Sequence, residues 1–331
     1  MSNRLEIIAE ISQGYQGDPN LSELLAKGAI SANADSIKFQ MVFADELCTP
    51  DYKHYSLFKS HEMEESVWKR LCRIIQENGK KAYFDIFGMQ GLSLAKTIGA
   101  DGVKISTTEF FHEELFTSSL ENFSTVLLSV GGINELEIER KVSSIPTQYL
   151  EKVRLLYGFQ SVPTPLFGTN LNKIRILKEK YPLLKVGFMD HSDGSEDEAL
   201  QLPLVAFGAG MDFIEKHITL DHKLSIIDHT SGLTPTKFSE FVLLMRSFEE
   251  VFGSESLELT DLEIQYRLGA LKQVVACSDI SEGQTISASD VTLKRTNREN
   301  DDQSIFRIEE VVGKRATQDI STDKEIHRGL I

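Results

Sequence analysis

The chain has 331 residues, an apolar share of 41% and a formal net charge of −15 at pH 7. That length exceeds one ordinary domain unless the domain is an α/β barrel with a small appendage, and the charge argues against a nucleic-acid groove or an anionic membrane surface. No apolar run is long enough to span a bilayer, no signal-peptide core opens the chain, and Cys48, Cys72 and Cys277 are too few and too scattered for a disulfide framework. A cytoplasmic protein is the expectation.

In chain order, residues 5–9 read as a strand closed by Glu10, followed by a turn in which Gly14 and Gly17 interrupt regular structure. Asn20 or Ser22 is placed to cap a helix over 23–32. A strand over 36–39 carries Lys38. Residues 41–62 read as a long loop of the lid type, and a helix over 63–78 holds Trp68 as packing. Strands then follow over 81–87, 102–105, 125–130, 153–159, 186–189 and 211–214, each succeeded by a helical pattern, the last over 236–252. Eight strand–helix alternations without a GxGxxG fingerprint predict a (β/α)8 TIM barrel rather than a doubly wound sheet. The barrel is expected over 1–253, a polar helical linker over 254–272, and a small β-rich domain over 273–331 with turns at Glu282-Gly283 and Thr322-Asp323.

In such a barrel the chemistry sits at the C-terminal ends of the strands. The polar residues there are Glu10, Lys38, Asp85, Lys104 with Thr107 and Glu109, Ser129, Gln160, Asp190-His191, and Glu215 with His217. Strands seven and eight form one βαβ unit, which brings His191 and His217 to the same rim. Two imidazoles with carboxylates nearby suit a divalent metal, and two separate hydrogen-bonded histidines are the plainer reading. Lysines within strands suit a phosphate or carboxylate ligand, or a Schiff base, and solvated strand ends are again the plainer reading. Taken together on one rim, these groups predict an enzyme acting on an anionic substrate.

The same segments resemble the sialic acid synthase family: N-acetylneuraminate, legionaminate and pseudaminate synthases and the related spore-coat polysaccharide proteins. IIAEISQGYQGD resembles the family's IIAEIG-NHNG, ADSIKFQ its AD-VKFQ, DGVKISTTE its A-KIGSGE, VGFMDHS its IGLSDHT, and IEKHITLD its IERHFT-D. The tail resembles the antifreeze-like domain that ends these proteins. The resemblance implies condensation of phosphoenolpyruvate with the aldehyde of an open-chain N-acylated amino sugar, giving a 2-keto acid and phosphate by C–O cleavage. It implies a divalent ion, Mn²⁺ or Mg²⁺, held by His191 and His217. It implies that Lys38 and Lys104, with Ser129 and Thr107, hold the donor, that Glu109 is the acid/base group, and that Glu10 lies near the metal-bound groups. Gln160, Asp190 and Asp228 would contact substrate. Arg295 would reach a neighbouring subunit's site in a domain-swapped homodimer. Alternatives are a metal-dependent pyruvate aldolase and a non-catalytic sugar-acid binding protein.

Several positions depart from the family pattern. The Asn-His pair becomes Gly14-Tyr15, STPF becomes FDIF with Asp85 in place of Thr, the residues before PTP become Gln160 and Val162, and Ser before Asp-His becomes Met189. An Asp beside a phosphate repels it unless protonated or paired.

Overall fold

The computed structural model describes residues 4–161, 163–254 and 256–331; Val162, one of the departures named above, lies outside them. Eight parallel strands close into a barrel in sequence order: β1 (Glu6–Ser12), β2 (Ser36–Met41), β3 (Lys81–Ile86), β4 (Gly102–Ile105), β5 (Val126–Ser129), β6 (Val153–Tyr157), β7 (Lys185–Asp190) and β8 (Phe213–His217). The strands are buried on both faces, as parallel strands sheathed by helices must be, and β1 pairs with both β2 and β8 to complete the ring. The TIM barrel expected from the alternation is therefore the fold.

Side chains alternate across each strand, so one parity fills the barrel and the other packs against the helices. Ile8, Tyr83, Leu127, Leu156, Met189 and Phe213 form a separate apolar cluster on the inward parity. Gly187 belongs to the same layer, and a Cβ there would run into the Phe213 ring. Outside the strands, the larger core includes Trp68 and Cys72, both fully buried; Trp68 packs edge-on against Tyr15, Phe39 and Phe84.

Two local expectations change. The first helix begins earlier, at Pro19, because the Asp18 side chain accepts from the amides of Asn20 and Leu21 and Pro suits the first helical position. Neither Asn20 nor Ser22 is the cap. The segment read as a loop over 41–62 contains two short helices, Ala44–Leu47 and Tyr55–Ser60.

The chain divides into two units, Met1–Phe252 and Gly253–Ile331. The second begins with a helix, Asp261–Ala270, whose Thr260 and Glu263 form a reciprocal capping box. An antiparallel pair follows, β9 (Gln273–Ala276) with β10 (Val291–Lys294), around a small core that includes Val274, Ile280, Ile286, Ile320 and Ile326. Gly283 and Asp323 both take positive φ, at the two turns expected from the sequence.

Candidate active site at the C-terminal mouth of the barrel

Above the apolar layer, the next inward positions are ionic. Glu10, Lys38, Asp85, Lys104 and Glu215 come from β1, β2, β3, β4 and β8, and their side chains are at most 5% exposed. Lys38 Nζ pairs with Glu10 and lies 3.5 Å from Glu215 and 3.7 Å from Asp85. Lys104 Nζ lies 2.9 Å from Glu215 and 3.5 Å from Asp85, and meets Met189 Sδ at 3.3 Å. Three carboxylates thus surround two ammonium groups in a sealed layer. The ionisation states follow from the neighbours. Burial pushes the Glu10 carboxyl up to about 7, against the pull of Lys38. Burial also opposes ionisation of Glu215, but Lys104 and Lys38 overcome it and hold that group at about 2. Burial raises Asp85 as well, and the carboxylates around Lys104 raise the lysine despite its own burial.

Above this layer opens a cavity of about 460 Å³, whose walls include Thr107, Ser129, Gln160, His191 and His217, with Glu10, Asp85, Lys104 and Glu215 at its base. Ser129 ends β5 and is buried there. Thr107 Oγ1 donates to the carbonyl of Gly131 at 2.9 Å. The two imidazoles stand side by side with ring centroids 4.8 Å apart. Among the described residues, His191 Nδ1 and His217 Nε2 are buried with no hydrogen-bond partner. Burial lowers both rings to about 3, and the charge of His217 adds to the effect at His191. Both are therefore neutral at physiological pH, the state in which imidazole ligates a metal. Two unpartnered ring nitrogens thus stand at the ends of neighbouring strands on the cavity wall, while no group of three His, Cys, Asp or Glu side chains with metal-binding geometry occurs among the described residues.

Three residues expected at the site lie outside the lining of this cavity. Asp190 does not contact the cavity: it lies one residue from His191 on the opposite parity, so its carboxylate faces away from the barrel interior and accepts from Lys216 Nζ at 2.7 Å and from the Ser192 amide at 2.8 Å. Glu109 sits in a short 3-10 turn outside the cavity lining, 3.8 Å from His112 Nδ1, with burial raising its carboxyl and His112 opposing. Arg295 lies just past β10 in the second unit, where Nε donates to the carbonyl of Ala270 at 3.2 Å.

Asp228 is held by two donors from elsewhere on the rim, Ser12 Oγ at the end of β1 at 2.6 Å and Gln160 Nε2 at 2.7 Å. Ser12 and Asp228 both adopt left-handed backbone, φ +53° and +61°, which for non-glycine residues marks a constrained site. Beside them runs a network that sequence reasoning missed: buried His61 Nδ1 meets Gln13 Oε1 at 2.9 Å, and Gln13 Nε2 donates to Gln40 Oε1 at 2.8 Å. At the departure Gly14, a Cβ would lie 2.9 Å from the Ile11 carbonyl, and neighbouring Tyr15 turns into the core to donate to the Gln40 carbonyl.

A closed barrel with a polar, partly ionised mouth and a pair of neutral histidines is the arrangement of a TIM-barrel enzyme. The NeuB family model matches residues 25–256 and a SAF domain model matches residues 273–326. The chain belongs to the NeuB family. It is 28% identical over 292 residues to an uncharacterized protein of Methanocaldococcus jannaschii, covering 88% of this chain and 85% of that one. It is 25% identical over 307 residues to N,N'-diacetyllegionaminic acid synthase of Legionella pneumophila, covering 87% and 85% respectively. Among solved structures, the N-acetylneuraminic acid synthetase of Leptospira borgpetersenii superposes with a TM-score of 0.73 at 29% identity, covering 80% of this chain and 92% of that one. None of the described helices is long and apolar enough to cross a membrane.

Proposed function

We propose that the protein is a nonulosonic acid synthase, condensing phosphoenolpyruvate with the open-chain aldehyde of an N-acylated amino sugar and releasing phosphate. One observation carries this reading: buried Lys38 and Lys104 share a barrel mouth with two neutral histidines whose ring nitrogens His191 Nδ1 and His217 Nε2 have no partner among the described residues. Those nitrogens fit a divalent ion, Mn²⁺ or Mg²⁺, whose other ligands would be oxygens of substrate and water. When bound, such an ion supplies Lewis-acid polarisation of the aldehyde.

The remaining roles belong to this chain's own groups. Lys104, with Ser129 and Thr107 on the adjoining wall, anchors the donor's carboxylate. Glu10, at about 7, holds or releases a proton at the cavity base near neutral pH, beneath the reacting carbons. This makes Glu10, rather than Glu109, the proton carrier inside the cavity. Gln160 and Asp228 orient acceptor hydroxyls. Arg295 of a partner chain completes the site at the N-acyl group in a domain-swapped homodimer.

Purified protein given phosphoenolpyruvate, Mn²⁺ and a panel of N-acylated hexosamines is expected to release phosphate only when donor and acceptor are both present. No release with any acceptor, together with no heat of phosphoenolpyruvate binding, rejects the reading. A second reading, aldol chemistry with pyruvate, is favoured by one feature: Asp85 already pairs with both lysines. Phosphate formation separates the two.

A further inference from the structure

Building on that reading, we infer that Asp85 is a specificity-determining residue: it makes the donor subsite select by charge, favouring a three-carbon monoanion over a doubly ionised phosphate. Asp85 on β3 is paired with Gln40 of β2 and Lys104 of β4, so its carboxylate enters between the two lysine-bearing strands. Oδ2 lies 3.5 Å from Lys104 Nζ and 3.7 Å from Lys38 Nζ. Oδ1 is buried and has no hydrogen-bond partner among the described residues. Glu10 and Glu215 occupy the other sides of the same ammonium groups. With all five groups ionised the layer carries one net negative charge, since three carboxylates face two lysines.

A phosphate seated on Lys104, the lysine that lines the cavity beside Asp85, brings acceptor-only oxygens against the acceptor-only Asp85 carboxylate, where no hydrogen bond can form and little water screens the repulsion. A threonine or asparagine at the same position would offer a donor and leave the layer neutral. A monoanionic carboxylate needs only one ammonium group. An unphosphorylated enol or a singly protonated phosphate also brings an O–H that can donate to Oδ1. The subsite therefore prefers pyruvate, or the monoprotonated phosphate of phosphoenolpyruvate, to the fully ionised form. Asp85 touches the lysines and lines the cavity, so its influence acts on binding at this one subsite.

The test is calorimetry at pH 8 with phosphoenolpyruvate, inorganic phosphate and pyruvate on the full chain and on Asp85→Asn, Asp85→Thr and Asp85→Glu. Phosphoenolpyruvate and phosphate are expected to bind at least tenfold more tightly to the Asn and Thr variants, pyruvate to change by less than threefold, and the Glu variant to keep the preference of the unaltered protein. An unchanged ratio of phosphoenolpyruvate to pyruvate affinity in the neutral variants overturns the inference. The unaltered protein supplies a check that needs no substitution: phosphoenolpyruvate binding a hundredfold more tightly than pyruvate also overturns it. Turnover keeps the two ideas apart. Phosphate release with the same KM for phosphoenolpyruvate in the unaltered protein and Asp85→Asn rejects charge selection and leaves the synthase reading standing. No release with any acceptor, together with no heat of phosphoenolpyruvate binding, rejects the synthase reading, and the ratio of phosphate to pyruvate affinity still decides charge selection.

Discussion

The two ends of the barrel solve the same problem differently. At the N-terminal end, half-buried Glu6 is met by Arg154, by Ser36 Oγ at 2.5 Å and by Tyr83 OH at 2.8 Å. Burial opposes its ionisation, but Arg154, Ser36 and Lys81 prevail and hold the carboxyl at about 2. At the C-terminal end, Glu10, Asp85 and Glu215 compete for two lysines: Glu10 Oε2 and Glu215 Oε2 meet Lys38 only as ion pairs, and Asp85 Oδ1, His191 Nδ1 and His217 Nε2 have no hydrogen-bond partner among the described residues. One end surrounds its carboxylate with donors; the other sets three carboxylates on two lysines. Buried polar atoms are rarely left unpaired, and Asp85 Oδ1, His191 Nδ1 and His217 Nε2 are unpaired together at the mouth, where barrel enzymes work.

Substitutions should separate the two ends. His191→Ala, at the mouth, is expected to cut metal-dependent turnover by about 10²–10³-fold, as losing a group that stabilises developing charge does. Its melting temperature should stay within a few degrees of the parent; a large fall would mean that the histidine supports the fold instead. At the other end, Arg154→Ala strands the Glu6 carboxylate and should cost about 3 kcal/mol in urea unfolding. A loss below about 1 kcal/mol would mean that Glu6 does not depend on its guanidinium.

The acid limb sharpens the contrast. Glu6 ionises at about 2 in the fold against 4.5 for an unperturbed glutamate. Its stabilisation is therefore complete above pH 4.5 and is lost as pH falls toward 2, worth about 3 kcal/mol over that window. Glu6→Gln should remove that part of the acid slope. Asp85 has the opposite sign. Its folded pKa is raised by burial, so its contribution is present below 3.8 and lost as pH rises. Asp85→Asn should thus raise the melting temperature at pH 7, with the gain shrinking toward pH 3, the smallest effect of the four. A lower melting temperature at pH 7 would contradict the competition for lysines at the mouth.

Much of this was legible in the chain. Strand–helix alternation specified the barrel, and the strand ends placed Glu10, Lys38, Lys104, Ser129, His191 and His217 at one mouth. Parity accounts for one miss. Asp190 and His191 are adjacent on a strand and cannot both face inward, whereas Glu215 and His217 can, with Lys216 between them turned out to meet Asp190. Glu109 was harder to read because a 3-10 turn has no fixed facing; its direction is set by His112 and by a hydrogen bond from the Gly88 amide. The pairing of Asp85 with two lysines could not be read from one strand, because it depends on β3 lying between β2 and β4. The Gln13–Gln40–His61 network depends on residues up to 48 apart in sequence, one of them in a segment read as a loop.

The bond from Ser12 to Asp228 has a consequence for how acceptor preference can change over generations. A non-glycine residue in left-handed backbone costs about 1 kcal/mol or more, and one well-placed hydrogen bond returns a similar amount. Exchanging Ser12 for Gly would relieve the first and forfeit the second, leaving stability nearly unaltered. Asp228 would then have only Gln160 to satisfy it and a carboxylate oxygen newly open to an incoming sugar. On the proposed reading, in which Asp228 contacts the acceptor, selection for a folded protein is almost blind to that exchange, so position 12 is one at which the lineage could drift between acceptors without passing through an unstable intermediate.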